Sequence, residues 1–488
     1  MRLRGLSNLK SEIMRYILLI AVLSVLSVSV CQAADVGKNN LLHGVVDERI
    51  ELTSIVFRLA GAEEYCICAV KDYAADIDST FAAYMDHPLM DYIRKMREER
   101  AIGFTRVPLS ALHMYIEDGH VRTTREMCQA LVEEDYYWTE DMHRKYVSLL
   151  DDFYRKSGFH KFYERNEELY RDAERQFNTA VDTYLNAKWF EDTYGGKPLD
   201  GMKAYLCVNN GGSNYSLGNG TIVMGMFYSM QNDGGVVFPH MGVRTVAHEL
   251  THMLVEDECR EYMDETRAAA DTIFSYMGET LTKNGYSSAG LWSEWLTRVA
   301  TLLYVRDNNP LGEYGAVMMD DSQGFIWQER TFRFLDNYME NRDRYRHFQD
   351  FVPQLAAYFN YTAENFERVM WEHENRRPYV VDVFPVPGTE IDLAAQDTIR
   401  IRFRFSEEMG THCHGLKSSE RNSPKGCNAK PGRMAKCIWT DSRTFEFAVP
   451  AEWYEKCDTL AFKLDRRIQD RFVNGIEEDY EVYYPLKH

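Results

Sequence analysis

The residues with the clearest chemical potential are His248-Glu249-Leu250-Thr251-His252, an H-E-x-x-H pattern. Two histidines four apart on a helix stand one turn above each other. Their imidazoles can therefore converge on one ion at about 2.0 to 2.1 Å, the usual zinc-to-nitrogen distance. Glu249 projects to the flank of that pair, where it can reach an attacking water rather than the metal. This is the geometry of a hydrolase. The bland alternative is a chance match on an ordinary surface helix, and the flanking residues speak against it. Val243, Val246, Ala247, Leu250, Met253 and Leu254 keep the three-and-four spacing of a helix buried along one side.

A catalytic zinc takes three protein ligands and keeps one position open for water. Glu258, Glu261, Glu265, Glu279 and Glu294 all lie downstream, and Glu294, on a later predicted helix from Leu291 to Val305, is the leading candidate. Glu258 would have to be brought round by a break after the histidine helix. The pattern that does this has Gly where this chain has Val255, so no break is expected there. Hydrolysis also needs a donor facing the developing oxyanion, and Arg298, Tyr304, Tyr286 and His240 are the candidates.

These groups must be held by a chain of 488 residues, 45% hydrophobic, long enough for two or three domains. A net charge of −19 repels nucleic acid and anionic membranes, which argues against both as partners. The amino terminus carries Arg2, Arg4, Lys10 and Arg15, an apolar run from Tyr16 to Val30, then Cys31-Gln32-Ala33-Ala34. That order reads as a secretory signal over residues 1–33, cleaved after Ala33, and the mature chain is expected to be exported. A lipid anchor through Cys31 is the alternative. In an oxidising compartment Cys413, Cys427, Cys437 and Cys457 are natural disulfide partners, with three pairings open. A second metal held by His412, Cys413, His414, Cys427 and Cys437 is the competing use.

The pattern is helical almost throughout residues 45–195. Gly61 is a plausible stop for the first helix, and aromatic stripes at helical spacing read as packing. The texture changes at Gly195-Gly196-Lys197-Pro198. Lys203 to Val208 and Thr221 to Gly225 read as strands, with a loop rich in Gly, Asn and Ser from Asn209 to Gly220 between them. A strand just ahead of the histidine helix could hold an extended peptide by adding it to the sheet edge. More helices follow to about residue 376. From Tyr379 alternation takes over, clearest in Ile399, Ile401, Phe403 and Phe405 with arginines between them, and residues 379–488 read as a β-sandwich. The fold class is thus α+β: a mostly helical region with a small sheet, spanning 45–195 and 196–376, followed by an all-β tail.

Asp47-Glu48-Arg49-Ile50-Glu51-Leu52, Phe57-Arg58-Leu59-Ala60-Gly61, the H-E-x-x-H stretch and Glu294-Trp295-Leu296-Thr297-Arg298 give the chain a family likeness over about residues 45 to 375. It resembles an uncharacterised family of exported bacterial proteins, a domain of unknown function held to be gluzincin-like metallopeptidases. The resemblance implies a zincin-like core over 196–376, His248, His252 and Glu294 as ligands to Zn²⁺, Glu249 as the catalytic base, and a peptide or protein substrate. In thermolysin-like enzymes an Asp often follows the glutamate ligand by four residues and orients a histidine. Here that place holds Arg298, so the histidines must be held differently. The tail is similar to bacterial Ig-like domains through Asp382-Val383-Phe384-Pro385, Phe405-Ser406-Glu407-Glu408-Met409 and Trp439 to Phe445, and departs from them in the Cys-rich insertion. No G-x-S-x-G elbow, P-loop or dinucleotide fingerprint competes. The remaining alternative is a non-enzymatic surface or glycan-binding protein with a structural or vestigial metal.

Overall fold

A computed structural model describes residues 42–196, 199–229, 235–309, 312–411, 415–419, 436–472 and 474–488. The expected leader with Cys31, and His412, Cys413, His414 and Cys427 of the insertion, lie outside the described residues. No described helix is long and apolar enough to cross a membrane.

The chain is α+β. Its first described helix, Glu48–Leu59, starts where the Asp47 side chain accepts the Arg49 backbone N–H at 2.9 Å and ends before Gly61, whose φ of +86° is open to glycine. Nine of its twelve residues are buried, so it runs through the core rather than over it. Just ahead of it Gly44–Val46 forms a strand that the helical reading of this region missed. A second departure is the small hairpin of Tyr115–Glu117 and His120–Arg122.

The sheet that frames the site has four strands in the order Gly44–Val46, Lys203–Leu206, Thr221–Met224, Tyr215–Gly218. The first three run parallel and the last is antiparallel. Tyr215–Gly218 lies within the stretch expected to be loop, and it forms the outer edge. Thr221–Met224, the strand proposed to receive a peptide, is paired on both sides and wholly buried, so it cannot do so. Among the described residues Tyr215–Gly218 pairs with one strand only, and the histidine helix packs against it.

A buried carboxylate from the first helix braces the turn that leads to this edge. Glu51 accepts the backbone N–H of Val208 and, at 3.0 Å, the hydroxyl of Tyr73. The same turn carries Gly211 at φ +57°, where any Cβ would strike the Ile67 carbonyl. Residues from Leu42 to Val369 contribute to one continuous apolar core.

A second core, from Val383 to Leu486, lies in the tail. It is enclosed by two four-stranded sheets. Thr398–Phe405 alternates exposed and buried residues along its whole length, as its sequence predicts. The tail is fastened to the helical region by Glu407, which pairs with Arg376 at 3.0 Å and Arg333 at 3.4 Å, and by Phe472 packed on Phe332. Cys457 is disulfide-bonded, but Cys437 is a free thiol, so the four carboxy-terminal cysteines do not make two bridges.

Candidate metal centre

The helix Gly242–Leu254 buries Val243, Val246, Ala247, Leu250 and Leu254 and turns its two histidines toward a neighbouring helix, Leu291–Asn308. That second helix is buried on nearly every side, with residues 295–305 all buried. It is a central strut of the core, and Glu294 sits in its first turn.

His248, His252 and Glu294 come together, with one ligand atom from each all within 4.8 Å of one another. His248 Nε2 lies 3.6 Å from Glu294 Oε1, and His252 Nε2 lies 3.5 Å from Oε2. These separations are too long for hydrogen bonds. They are close to the roughly 3.3–3.4 Å expected between donors that share one tetrahedral ion at about 2.0–2.1 Å. The three side chains are 16, 25 and 13% exposed, so the cluster is walled yet open to solvent. Two imidazole nitrogens and one carboxylate form a donor set that suits zinc, and the residues present fit a metal.

Burial pushes both imidazoles below their ordinary value, which keeps them neutral and able to ligate near pH 7. Burial opposes charge on Glu294, but the groups around it, led by the Arg298 guanidinium, outweigh it and hold its carboxyl down at about 2. Glu249 is 6% exposed. Burial first, and then the negative charge of Glu294, push it up to about 8, while the backbone N–H of Ser216 on the sheet edge pulls the other way. The carboxylate of Glu249 therefore stands between the metal cluster and the strand Tyr215–Gly218.

The four oxyanion candidates fare differently. Arg298 lies behind Glu294: its Nε donates to Glu294 Oε1 at 2.7 Å and its Nη1 to Asp320 at 2.6 Å. Its Nη2 reaches the Tyr286 hydroxyl at 2.5 Å and Gln323 at 2.6 Å. The guanidinium also stacks 4.2 Å over the Phe325 ring. With all these partners it aims Glu294 rather than a substrate, and Tyr286 is engaged in the same network. Tyr304 is a core residue, its hydroxyl accepting the Asn186 N–H at 3.0 Å and its ring stacked on Phe190. His240, in the turn ahead of the histidine helix, packs edge-on against Tyr184. Arg298, Tyr286 and Tyr304 thus already have hydrogen-bond partners within the protein, whereas the contact shown for His240 is the Tyr184 ring.

The chain does break after the histidine helix, at Val255 and without a glycine, and a short helix Glu256–Glu261 follows. Glu258 still does not join the cluster. Sequence reasoning missed Thr297 and Thr301, whose hydroxyls lie 3.1 Å from His252 Nδ1 and 3.3 Å from His248 Nδ1. Their signal was present, because Glu294, Thr297, Arg298 and Thr301 follow the i, i+3, i+4, i+7 spacing of one helix face. It also missed Asp320, a wholly buried carboxylate held by Arg298, Arg244 and Gln328.

Fold and site together define an α+β protein with a histidine–glutamate cluster able to hold a metal. The chain belongs to the family described as a domain of unknown function, DUF4932, whose model matches residues 44–358 and so covers the sheet, both histidines and Glu294. No curated protein and no solved structure matches it.

Proposed function

We propose that the chain is an exported zinc-dependent peptidase of gluzincin-like type, with a zincin-like catalytic region and an Ig-like β-sandwich tail. The observation that carries this reading is the meeting of His248, His252 and Glu294 beside a buried Glu249 and an antiparallel sheet edge. Export rests on the basic, apolar and small-residue order of residues 1–33.

A zinc ion at the cluster would supply Lewis acidity toward water and toward a carbonyl oxygen. The protein's own groups do the rest. His248, His252 and Glu294 hold the ion. Glu249 takes a proton from the attacking water and returns it to the leaving amine. A carboxyl near 8 is a poor base at neutral pH, but a cation beside it lowers that value into the range a general base needs. An extended peptide laid along Tyr215–Gly218 would pair with backbone groups of that edge beside the Ser216 N–H that Glu249 engages, and place a scissile bond over the cluster.

One observation favours a second reading, a binding protein with a structural metal: Arg298, Tyr286 and Tyr304 are already occupied, so no oxyanion donor stands out among them. The variant Glu249→Ala separates the two. The peptidase reading expects stoichiometric zinc in both proteins, with hydrolysis of a peptide library reduced by about 10²–10⁴ in the variant. Equal hydrolysis by both proteins, or none by the parent with zinc bound, overturns it.

A further inference from the structure

The histidines are held by hydroxyls rather than by carboxylates, and the hydrogen-bond directions can be worked out. Thr297 Oγ1 donates to the Ser293 carbonyl at 2.9 Å, and Thr301 Oγ1 donates to the Thr297 carbonyl at 2.8 Å. A threonine hydroxyl has one proton. Each proton is spent on the carbonyl four residues earlier, so each oxygen can offer only a lone pair to the imidazole beside it. With the hydroxyl protons on those carbonyls, the imidazole is the donor in both pairs, through Nδ1–H. A neutral ring with its proton on Nδ1 has its lone pair on Nε2, the atom that faces Glu294. Both threonines are fully buried, so no solvent competes for these bonds.

We infer that Thr297 and Thr301 are positioning residues that lock His252 and His248 in the Nδ1–H tautomer and so present both Nε2 lone pairs to one metal ion. The inference deepens the metal reading and rests on it for its purpose, though not for the tautomers themselves. A single helix then supplies one ligand, Glu294, and the partner that orients each of the other two. The donor set is fixed in register by the rise of one helix rather than by separate loops. A neutral hydroxyl also leaves the imidazole less electron-rich than a carboxylate partner would, so the ion keeps more of its Lewis acidity.

The test uses the full mature chain with histidine labelled in ¹⁵N, metal-stripped, with signals assigned through His248→Ala and His252→Ala. Nitrogen shifts read the tautomers without metal or activity. The expected result is a protonated Nδ1 and a bare Nε2 in both rings, and a proton on either Nε2 overturns the inference. Competition with a chromophoric chelator then reads zinc affinity. Thr297→Val and Thr301→Val each lower it about 10- to 100-fold, while Thr297→Ser and Thr301→Ser, which keep the hydroxyl, stay near the parent. Valine variants that bind zinc as tightly as the parent, or serine variants as weak as valine, overturn the positioning role. A parent chain that shows the expected tautomers but takes up no zinc removes the metal reading and leaves the hydrogen-bond assignment standing.

Discussion

Arg298→Met is the substitution that most directly probes how the centre is held. Methionine keeps much of the stem and volume but deletes the charge that Glu294 and Asp320 share. Asp320 retains Arg244 at 2.9 Å and Gln328 at 3.0 Å. Glu294 retains only two neutral imidazoles, so the loss falls mainly on it. Breaking a buried ion pair by removing one partner costs about 3–5 kcal/mol, and that is the expected destabilisation of the metal-stripped chain at neutral pH. The pH dependence has a definite sign. A carboxyl held at about 2 contributes stability that is present above its ordinary 4.5 and is lost as pH falls toward 2, so parent and variant converge on acidification through that window. Zinc supplies the missing positive charge and should stabilise the variant more than the parent. At a thousandfold excess over Kd, binding alone is worth about 4 kcal/mol. Thermal unfolding followed by far-UV circular dichroism, with and without zinc, measures both effects. A variant as stable as the parent without zinc, or an equal response to zinc in both, would refute the role given to Arg298.

Three further outcomes are expected. Removing divalent metal with a chelator should abolish peptide hydrolysis, and zinc but not magnesium should restore it, because the donor set includes two imidazoles. Burial raises Glu51 to about 7, so between its ordinary 4.5 and 7 the folded chain holds a proton that the unfolded chain releases. Stability then falls by about 3 kcal/mol as pH rises through that window, and Glu51→Gln should flatten the fall in denaturation midpoints. Tyr304→Phe should leave peptide turnover unchanged while costing about 1–3 kcal/mol of stability, since it orphans the Asn186 N–H; a large drop in turnover would return Tyr304 to the active site.

Periodicity and spacing were enough to place the histidine helix, because Val243, Val246, Ala247, Leu250 and Leu254 fall on one buried face. They were also enough for Thr398–Phe405, where strict alternation admits one reading. The strand Tyr215–Gly218 was hidden for a physical reason. It is four residues long, ends in a glycine, and its pairing with Thr221–Met224 shifts register after Ser216, so its local composition is that of a loop. Gly44–Val46 was equally illegible, since a strand of three residues exists only through its distant partner. Glu294 could be singled out by type and position, but the part played by Arg298 could not. A guanidinium at that place suits an oxyanion as well as a carboxylate, and only the positions of Asp320, Gln323 and Tyr286 decide between them.

The pairing of Gly44 with Ala204 joins residues 160 positions apart, 204 minus 44, and Glu51 reaches across a similar span to Val208. The first strand therefore has no strand partner until nearly half the polypeptide has emerged, although Asn178 and Glu174 accept its Gly44 and Val46 N–H groups at 2.8 and 2.9 Å. A nascent fragment ending before residue 203 carries that strand without its strand partner and Glu51 without its backbone donor. The sheet beside the histidine–glutamate cluster is thus complete only when both ends of that span are present.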